Sequence, residues 1–145
     1  MGIFDFFKSA PKYDRNKAIM SAIKGKQAYD SRNFSTAAQY FNEYFEYKGF
    51  GNFQDLDITD FRMYLNLMIS YFYSKQYSKC IEICEKLMRL DATASDSYAF
   101  AGMCHYKLGN YKIANDLWAK AKSRNNQIAT MFNSIEDVKM QGFSY

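Results

Sequence analysis

The fold is decided by two stretches of equal length: residues 64–87, YLNLMISYFYSKQYSKCIEICEKL, and residues 98–121, YAFAGMCHYKLGNYKIANDLWAKA. Both begin with a tyrosine, and an aromatic residue, Tyr77 in the first and Tyr111 in the second, recurs 34 residues apart. Small or apolar residues then recur in step, namely Cys80, Cys84 and Leu87 in one copy and Ala114, Trp118 and Ala121 in the next. A fixed period of this length predicts stacked structural repeats.

A third copy precedes these two. Its residues at the same offsets are Gly25, Ala28, Phe34, Ala37, Phe41 and Tyr44. The step from Phe34 to Tyr77 is 43 residues, which is nine more than the period. The extra residues fall within 48–57, where Gly49 and Gly51 stand among polar residues, so we expect a loop there.

The three copies together resemble the tetratricopeptide-repeat (TPR) family, whose pattern is W-x2-L-G-x2-Y followed by A-x3-F with a 34-residue period. The resemblance extends over about residues 17–126 and is degenerate. The family's opening Trp is replaced by Ser21, Tyr64 and Tyr98, and its closing Pro by Ala92 and Asn126. The resemblance implies an all-α solenoid of three antiparallel helix hairpins.

The spacing of apolar residues agrees with this fold. It predicts helices over residues 61–74 and 95–108, with Gly109 as a helix stop, and a seventh helix over about 127–140 that caps the stack. We therefore expect an apolar N-terminal arm, 1–13, and one domain, 14–145, with repeats at about 18–47, 60–92 and 94–126.

Composition narrows the function. A chain that is 48% hydrophobic and 19% aromatic is not a disordered one. The net charge of +4 is spread along the chain without a basic stripe, which argues against nucleic acid as a partner. No apolar run reaches the roughly 18–20 residues that span a bilayer. The three cysteines have no disulfide-framework spacing and no secretory leader ahead of them, so we expect reduced thiols in a cytoplasmic protein.

In the TPR family the first helix of each repeat lines a concave groove that holds a peptide or a helix of another protein. The resemblance assigns to this groove the residues on the face opposite the packing signature. These are Ile19, Lys26 and Tyr29 in the first repeat, Arg62, Asn66, Ile69 and Tyr73 in the second, and Asp96, Phe100, Met103 and Tyr106 in the third. Such a surface is apolar enough to indicate a binding site.

The expected ligand is an apolar or amphipathic segment of a partner protein. One TPR subgroup clamps acidic chaperone tails with Lys, Asn and Arg, but this chain departs from that pattern. Asn66 matches and Lys26 is compatible in charge, whereas the remaining clamp positions hold Ala22, Asp96 and Phe100. A second interpretation stays open, in which the seventh helix or residues 3–7 fold back and fill the groove.

Catalytic and metal chemistry is poorly supported. Cys80, Cys84, Cys104 and His105 form a conceivable zinc set, and Cys84 with Cys104 a conceivable redox pair, but these positions belong to the packing signature of the repeats. The sequence contains no phosphate-binding, dinucleotide-binding or metalloprotease motif. We therefore expect no enzyme activity and no cofactor.

The favoured function is an adaptor or chaperone-like module, and the three-repeat size is similar to that of the chaperones of bacterial type III secretion translocators. The alternatives are a structural homo-oligomer, of which a homodimer is one form, and a scaffold recruited to a membrane by the N-terminal arm. That arm places Ile3, Phe4, Phe6 and Phe7 within five positions. Besides anchoring to a membrane or a partner, it could pack on the first helix or on the loop at Phe50 and Phe53.

Overall fold

The computed structural model describes residues 14–48, 58–90, 94–132 and 134–140, without the side chains of Ile58, Lys139 and Met140. Over these residues the only regular secondary structure is α-helix. The helices are α1 (Arg15–Asp30), α2 (Phe34–Lys48), α3 (Ile58–Tyr73), α4 (Tyr77–Leu90), α5 (Ser95–Lys107), α6 (Tyr111–Ser123), α7 (Gln127–Met131) and α8 (Ile135–Met140). The predicted N-terminal arm and the Phe50–Phe53 loop lie outside the described residues.

The repeat is visible in the backbone of the turns that join each pair of helices. Arg32, Lys75 and Gly109 have positive φ angles of 61°, 63° and 84°, and they follow one another at the 43- and 34-residue steps of the sequence. In each turn the amide that follows donates a 2.8 Å hydrogen bond to a carbonyl in the last turn of the first helix. These are Schellman-type helix ends, which reverse the chain within a few residues and produce antiparallel hairpins. The predicted stop at Gly109 is confirmed.

Within a hairpin, glycine lets the two helices approach closely. A Cβ atom added to Gly25 would lie 2.7 Å from the ring of Phe41, and one added to Gly102 would lie 3.2 Å from the carbonyl oxygen of Ala114. These glycines occupy the same position in the first and third repeats. In these two repeats the sequence signature is therefore a packing signature, because a larger side chain would meet the facing helix; the second repeat holds the buried Met68 at this position.

Successive hairpins are joined into one core by aromatic contacts. Phe45 of α2 stacks on Tyr64 of α3 with ring centroids 3.9 Å apart, and Phe72 of α3 meets Phe100 of α5 edge-on at 5.2 Å. At the start of α3, the buried carboxylate of Asp60 accepts a 2.8 Å hydrogen bond from the Tyr44 hydroxyl, and Lys48 pairs with the same oxygen. This network ties α3 to α2 beside the residues of the predicted loop.

The predicted cap is not one helix. The chain forms the two short helices α7 and α8, separated by Phe132, whose φ and ψ of −123° and 137° are extended. The backbone amide of Ser134 donates a 3.1 Å hydrogen bond to the Asp137 carboxylate, which starts a new helix. Apolar spacing alone predicts a continuous helix, but the break lets α8 turn back and pack against α5.

Candidate functional site

The concave face of the stack is formed by the first helices of the repeats, α1, α3 and α5. Its half beside α1 and α3 is open. Ile19 and Ile23 of α1 are 46% and 47% exposed, and they lie one helical turn apart on the same face. Lys26, one turn further on, is exposed, pairs with Asp30 and lies 5.6 Å from the centre of the Tyr29 ring. The α1 wall is thus aliphatic at one end and charged at the other.

The α3 wall faces this helix with mixed chemistry. Arg62 is exposed, while Asn66, Ile69 and Tyr73 are half-buried, so part of each of these side chains remains accessible. Leu65 lies between them and is also half-buried. Residues at this spacing share one face of a helix. The wall therefore offers aliphatic contact area and one amide capable of hydrogen bonding.

A cluster of three aromatic rings closes one end of the open half. Phe34, the first residue of α2, stacks on Tyr73 at 4.9 Å and meets Tyr29 edge-on at 5.6 Å. Burial raises the pKa of both Tyr29 and Tyr73 above the usual value of 10.0. Both hydroxyls are therefore neutral at physiological pH and can act as hydrogen-bond donors.

The half of the groove at α5 is closed, which corrects the sequence prediction. Phe100 and Met103 are 5% and 0% exposed, so they are core residues and do not form an accessible patch. The C-terminal helix α8 packs against α5 and contributes the fully buried Ile135 and Val138 to the same core cluster. The chain itself fills this half, as in the second interpretation left open by the sequence.

Two further residues predicted for the groove lie at the edge of this closed half. Tyr106 is half-buried beside α8, and burial together with the neighbouring Glu136 carboxylate raises the pKa of its hydroxyl. Asp96 is exposed, and its carboxylate accepts a 2.6 Å hydrogen bond from the side-chain amide of Asn126. Asp96 therefore helps to fix α5 to the start of α7.

The cysteines form a buried cluster between α4 and the helices on either side. Cys80, Cys84 and Cys104 are free thiols with no exposed surface, and the Cys80 thiol donates a 3.3 Å hydrogen bond to the carbonyl of Met68. Burial raises the pKa of Cys84, which disfavours the reactive thiolate. Over the described part of the chain, no group of three or more His, Cys, Asp or Glu residues is placed to hold a metal ion.

The residues predicted for the groove differ in accessibility. Those of α1 and α3 are exposed or half-buried, whereas Phe100 and Met103 of α5 are buried. Sequence reasoning missed Ile23, although it stands four residues after Ile19 and three before Lys26, a spacing that places all three on one helix face. The roles of these residues in partner binding stay a prediction.

No family model matches the chain. Among curated proteins it is similar to tetratricopeptide repeat protein 12 of human, at 23% identity over 128 residues, and of mouse, at 22% over 126 residues. These matches cover 87% and 86% of this chain but only 17% of each relative. The chain therefore spans about a sixth of the length of the curated relatives it matches.

Two solved structures resemble the whole architecture. The first TPR of Spaghetti (RPAP3), bound to the HSP90 peptide SRMEEVD, has a TM-score of 0.64 at 17% identity and covers 89% of this chain and 95% of its own. The TPR2B domain of yeast Sti1, in a complex with pHsp70, has a TM-score of 0.59 at 16% identity, over 79% and 84% of the two chains. The TPR fold predicted from the repeat pattern is confirmed.

Proposed function

We propose, on the basis of the TPR fold and the open half-groove, that this protein is a non-catalytic interaction module that binds an apolar or amphipathic segment of a partner protein. The binding site is the half of the groove between α1 and α3. The observation that carries the proposal is that the side chains of Ile19 and Ile23 in α1 are each nearly half exposed. The equivalent surface of α5, at the other end of the groove, is buried. An adaptor or chaperone-like role in the cytoplasm is part of the proposal, and the three buried free thiols support a reducing compartment.

The size of the apolar surface sets the expected energetics. Complete burial of an isoleucine contributes about 1.5–3 kcal/mol, and Ile19 and Ile23 each have about half of that contribution still to gain on binding. Together they supply about 1.5–3 kcal/mol, which corresponds to roughly a 10- to 150-fold change in affinity. A micromolar complex needs about 8 kcal/mol, so the ligand must also contact the α3 wall.

The chemistry of the rim favours a segment that carries acidic residues beside its apolar ones. Lys26 and Arg62 are exposed at the open half, and Arg32 lies close enough to Tyr73 to affect its titration. A carboxylate on the ligand would meet these cations at the rim, where such charges set orientation and association rate more than affinity.

The first experiment selects peptides from a displayed library against the protein and measures their affinity by fluorescence anisotropy. The double substitution Ile19→Glu, Ile23→Glu should weaken binding at least tenfold. The matched control, Ile113→Glu, changes an isoleucine of α6 that is equally exposed at 49%. Circular dichroism must show that every variant is helical. Equal affinity of both variants for the selected peptides would refute the α1–α3 site.

The chaperone tail bound by the RPAP3 domain gives a second, sharper comparison. The heptapeptide SRMEEVD should bind this protein weakly or not at all. Asp96 places a carboxylate at one of the polar positions of the clamp, and Phe100, at another, is buried in the core. Like charges at close range oppose the binding of an acidic tail. Micromolar binding of SRMEEVD would contradict this assignment and favour a chaperone-tail receptor.

Two other functions remain as predictions that simple measurements separate from this one. A structural homo-oligomer would show a concentration-dependent mass by light scattering in the absence of any ligand. A membrane-recruited scaffold would sediment with anionic vesicles and would lose that property when residues 1–10 are removed. Within the described residues, no helix is long and apolar enough to cross a membrane.

A further inference from the structure

One face of α1 lacks the cover that the equivalent faces of α3 and α5 possess. The repeat offsets place Met20, Lys24 and Gln27 of α1 in step with Met63, Leu67 and Ser70 of α3 and with Ser97, Ala101 and Cys104 of α5. In α3 and α5 five of the six positions are no more than 2% exposed, whereas Met63 is half-buried. In α1, by contrast, Met20 is 50% exposed and Lys24 and Gln27 are exposed.

The cover of α3 and α5 comes from the second helix of the preceding repeat. Phe45 of α2 stacks on Tyr64 of α3, and Cys80 of α4 is within hydrogen-bonding reach of Cys104 of α5. No second-type helix precedes α1 in the described part of the chain. A pocket of about 330 Å³ opens instead along α1 and α2, with Met20 and Tyr40 in its lining. The terminal repeats of a solenoid are usually covered by a cap.

The sequence that precedes α1 has the residue pattern of such a second helix. In the three repeats the buried signature of the second helix is Ala37, Phe41 and Tyr44, then Cys80, Cys84 and Leu87, then Ala114, Trp118 and Ala121. One 34-residue period before Ala37, Phe41 and Tyr44, the same offsets fall on Ile3, Phe7 and Ala10. All three are apolar.

The polar positions of the pattern agree as well. The position that holds the exposed residues Gln39, Glu82 and Asp116 in the three repeats falls on Asp5. A second position, held by the half-buried Asn42 and by the exposed Glu85 and Ala119, falls on Lys8. The sequence therefore alternates apolar and polar residues in the register that the covering helix of each later repeat shows.

The distance along the chain also fits. Leu87, the last signature residue of its second helix, stands eight positions before Ser95 at the start of the next repeat, and Ala10 stands eight positions before Ala18. The interval after Tyr44 is longer, because the nine extra residues lie there. The described chain begins at Asp14, whose amide donates a 2.7 Å hydrogen bond to the carbonyl of Tyr47. Since Tyr47 lines the pocket, the described chain begins at the edge of the uncovered face.

We propose that this face of α1 is the docking site of the chain's own residues 3–10, which serve as the missing half-repeat. Ile3, Phe7 and Ala10 face α1, and Asp5 and Lys8 face solvent. The segment is then an intramolecular cap, and its apolar residues are taken up by α1 instead of by a membrane or by a partner protein. This proposal does not depend on the function proposed for the groove.

Thiol labelling tests the proposal on the full chain, because the three native cysteines have no exposed surface. Met20→Cys reports on the docking face, and Ile113→Cys is a control of matched exposure on α6, at 49% against 50%. With residues 3–10 docked, a maleimide should modify Met20→Cys at least about tenfold more slowly than Ile113→Cys. Gln27→Cys is a second reporter on the same face, in case the substitution of Met20 itself weakens docking.

A second substitution identifies the covering segment. Adding Phe7→Asp should raise the labelling rate of both reporters to that of the control, whereas adding Lys8→Asp should leave it slow. Equal rates for the reporters and the control in the intact chain would overturn the proposal. Protection that survives Phe7→Asp, that grows with protein concentration, or that requires lipid vesicles would also overturn it, since each result assigns the cover to another segment, a second copy or a membrane.

Discussion

The close contact between Gly25 and Phe41 gives a quantitative prediction for the substitution Gly25→Ala. In an unobstructed helix this change stabilises a protein by about 1 kcal/mol, because alanine has the higher helix propensity. Here the new methyl group would lie 2.7 Å from two ring atoms of Phe41, a side chain with no exposed surface. Tyr29 flanks that ring with a centroid distance of 6.3 Å, so the ring has little room to move away.

The clash should outweigh the gain in helix propensity. Inserting a methyl group into a packed core typically costs about 1–3 kcal/mol, and a contact this short places the cost toward the upper end. We therefore expect Gly25→Ala to lower the free energy of unfolding by about 1–2 kcal/mol. With a urea m-value of about 1–3 kcal/mol/M, the midpoint should fall by roughly 0.3–2 M.

The assay is urea unfolding followed by far-ultraviolet circular dichroism and by the fluorescence of Trp118, the single tryptophan. The control is Glu85→Ala, an exposed change in α4 that should alter stability by only a few tenths of a kcal/mol. A second substitution, Phe41→Leu, should make the double variant less destabilised than the sum of the two single variants, since it removes the obstructing ring. A stabilised Gly25→Ala protein would refute the close packing of α1 on α2.

Three other predictions concern the network at α3 and the cover of α5. Replacing Asp60 by Ala should lower the free energy of unfolding in urea by about 2–4 kcal/mol, because the buried Tyr44 hydroxyl loses its acceptor and Lys48 loses its partner. A loss below 0.5 kcal/mol would contradict the network. Burial and the hydrogen bond to Asp60 raise the pKa of Tyr44 from 10.0 to about 12. The stabilisation by the neutral Tyr44 hydroxyl is therefore complete below pH 10 and declines as the pH rises toward 12. The urea midpoint should fall over that interval, and it should fall less in Tyr44→Phe. Val138→Asp should release α8 and speed hydrogen exchange in α5. The control Met131→Asp, at a position that is 75% exposed, should leave the exchange unchanged. Unchanged exchange in both variants would refute the role of α8 as the cover of α5.

The sequence alone determined the fold because its evidence is periodic. A residue such as Gly102 or Trp118 is uninformative by itself, but its recurrence at a fixed offset requires the same local packing in each repeat. The positions of the turns at Arg32, Lys75 and Gly109 follow from the same period. Local chemistry therefore fixed the helices, their order and their pairing into hairpins.

The accessibility of the groove was decided only by the tertiary structure. Ile69 and Met103 occupy the same position in successive repeats, yet Ile69 is half-buried and Met103 is fully buried. Near this end of the stack α8 turns back and packs against α5, after the extended residue Phe132 and a new helix start at which the Ser134 amide donates to the Asp137 carboxylate. The period of the sequence shows which face of a helix is apolar. The part of the chain that covers that face is set by long-range packing, and a local sequence pattern does not contain that information.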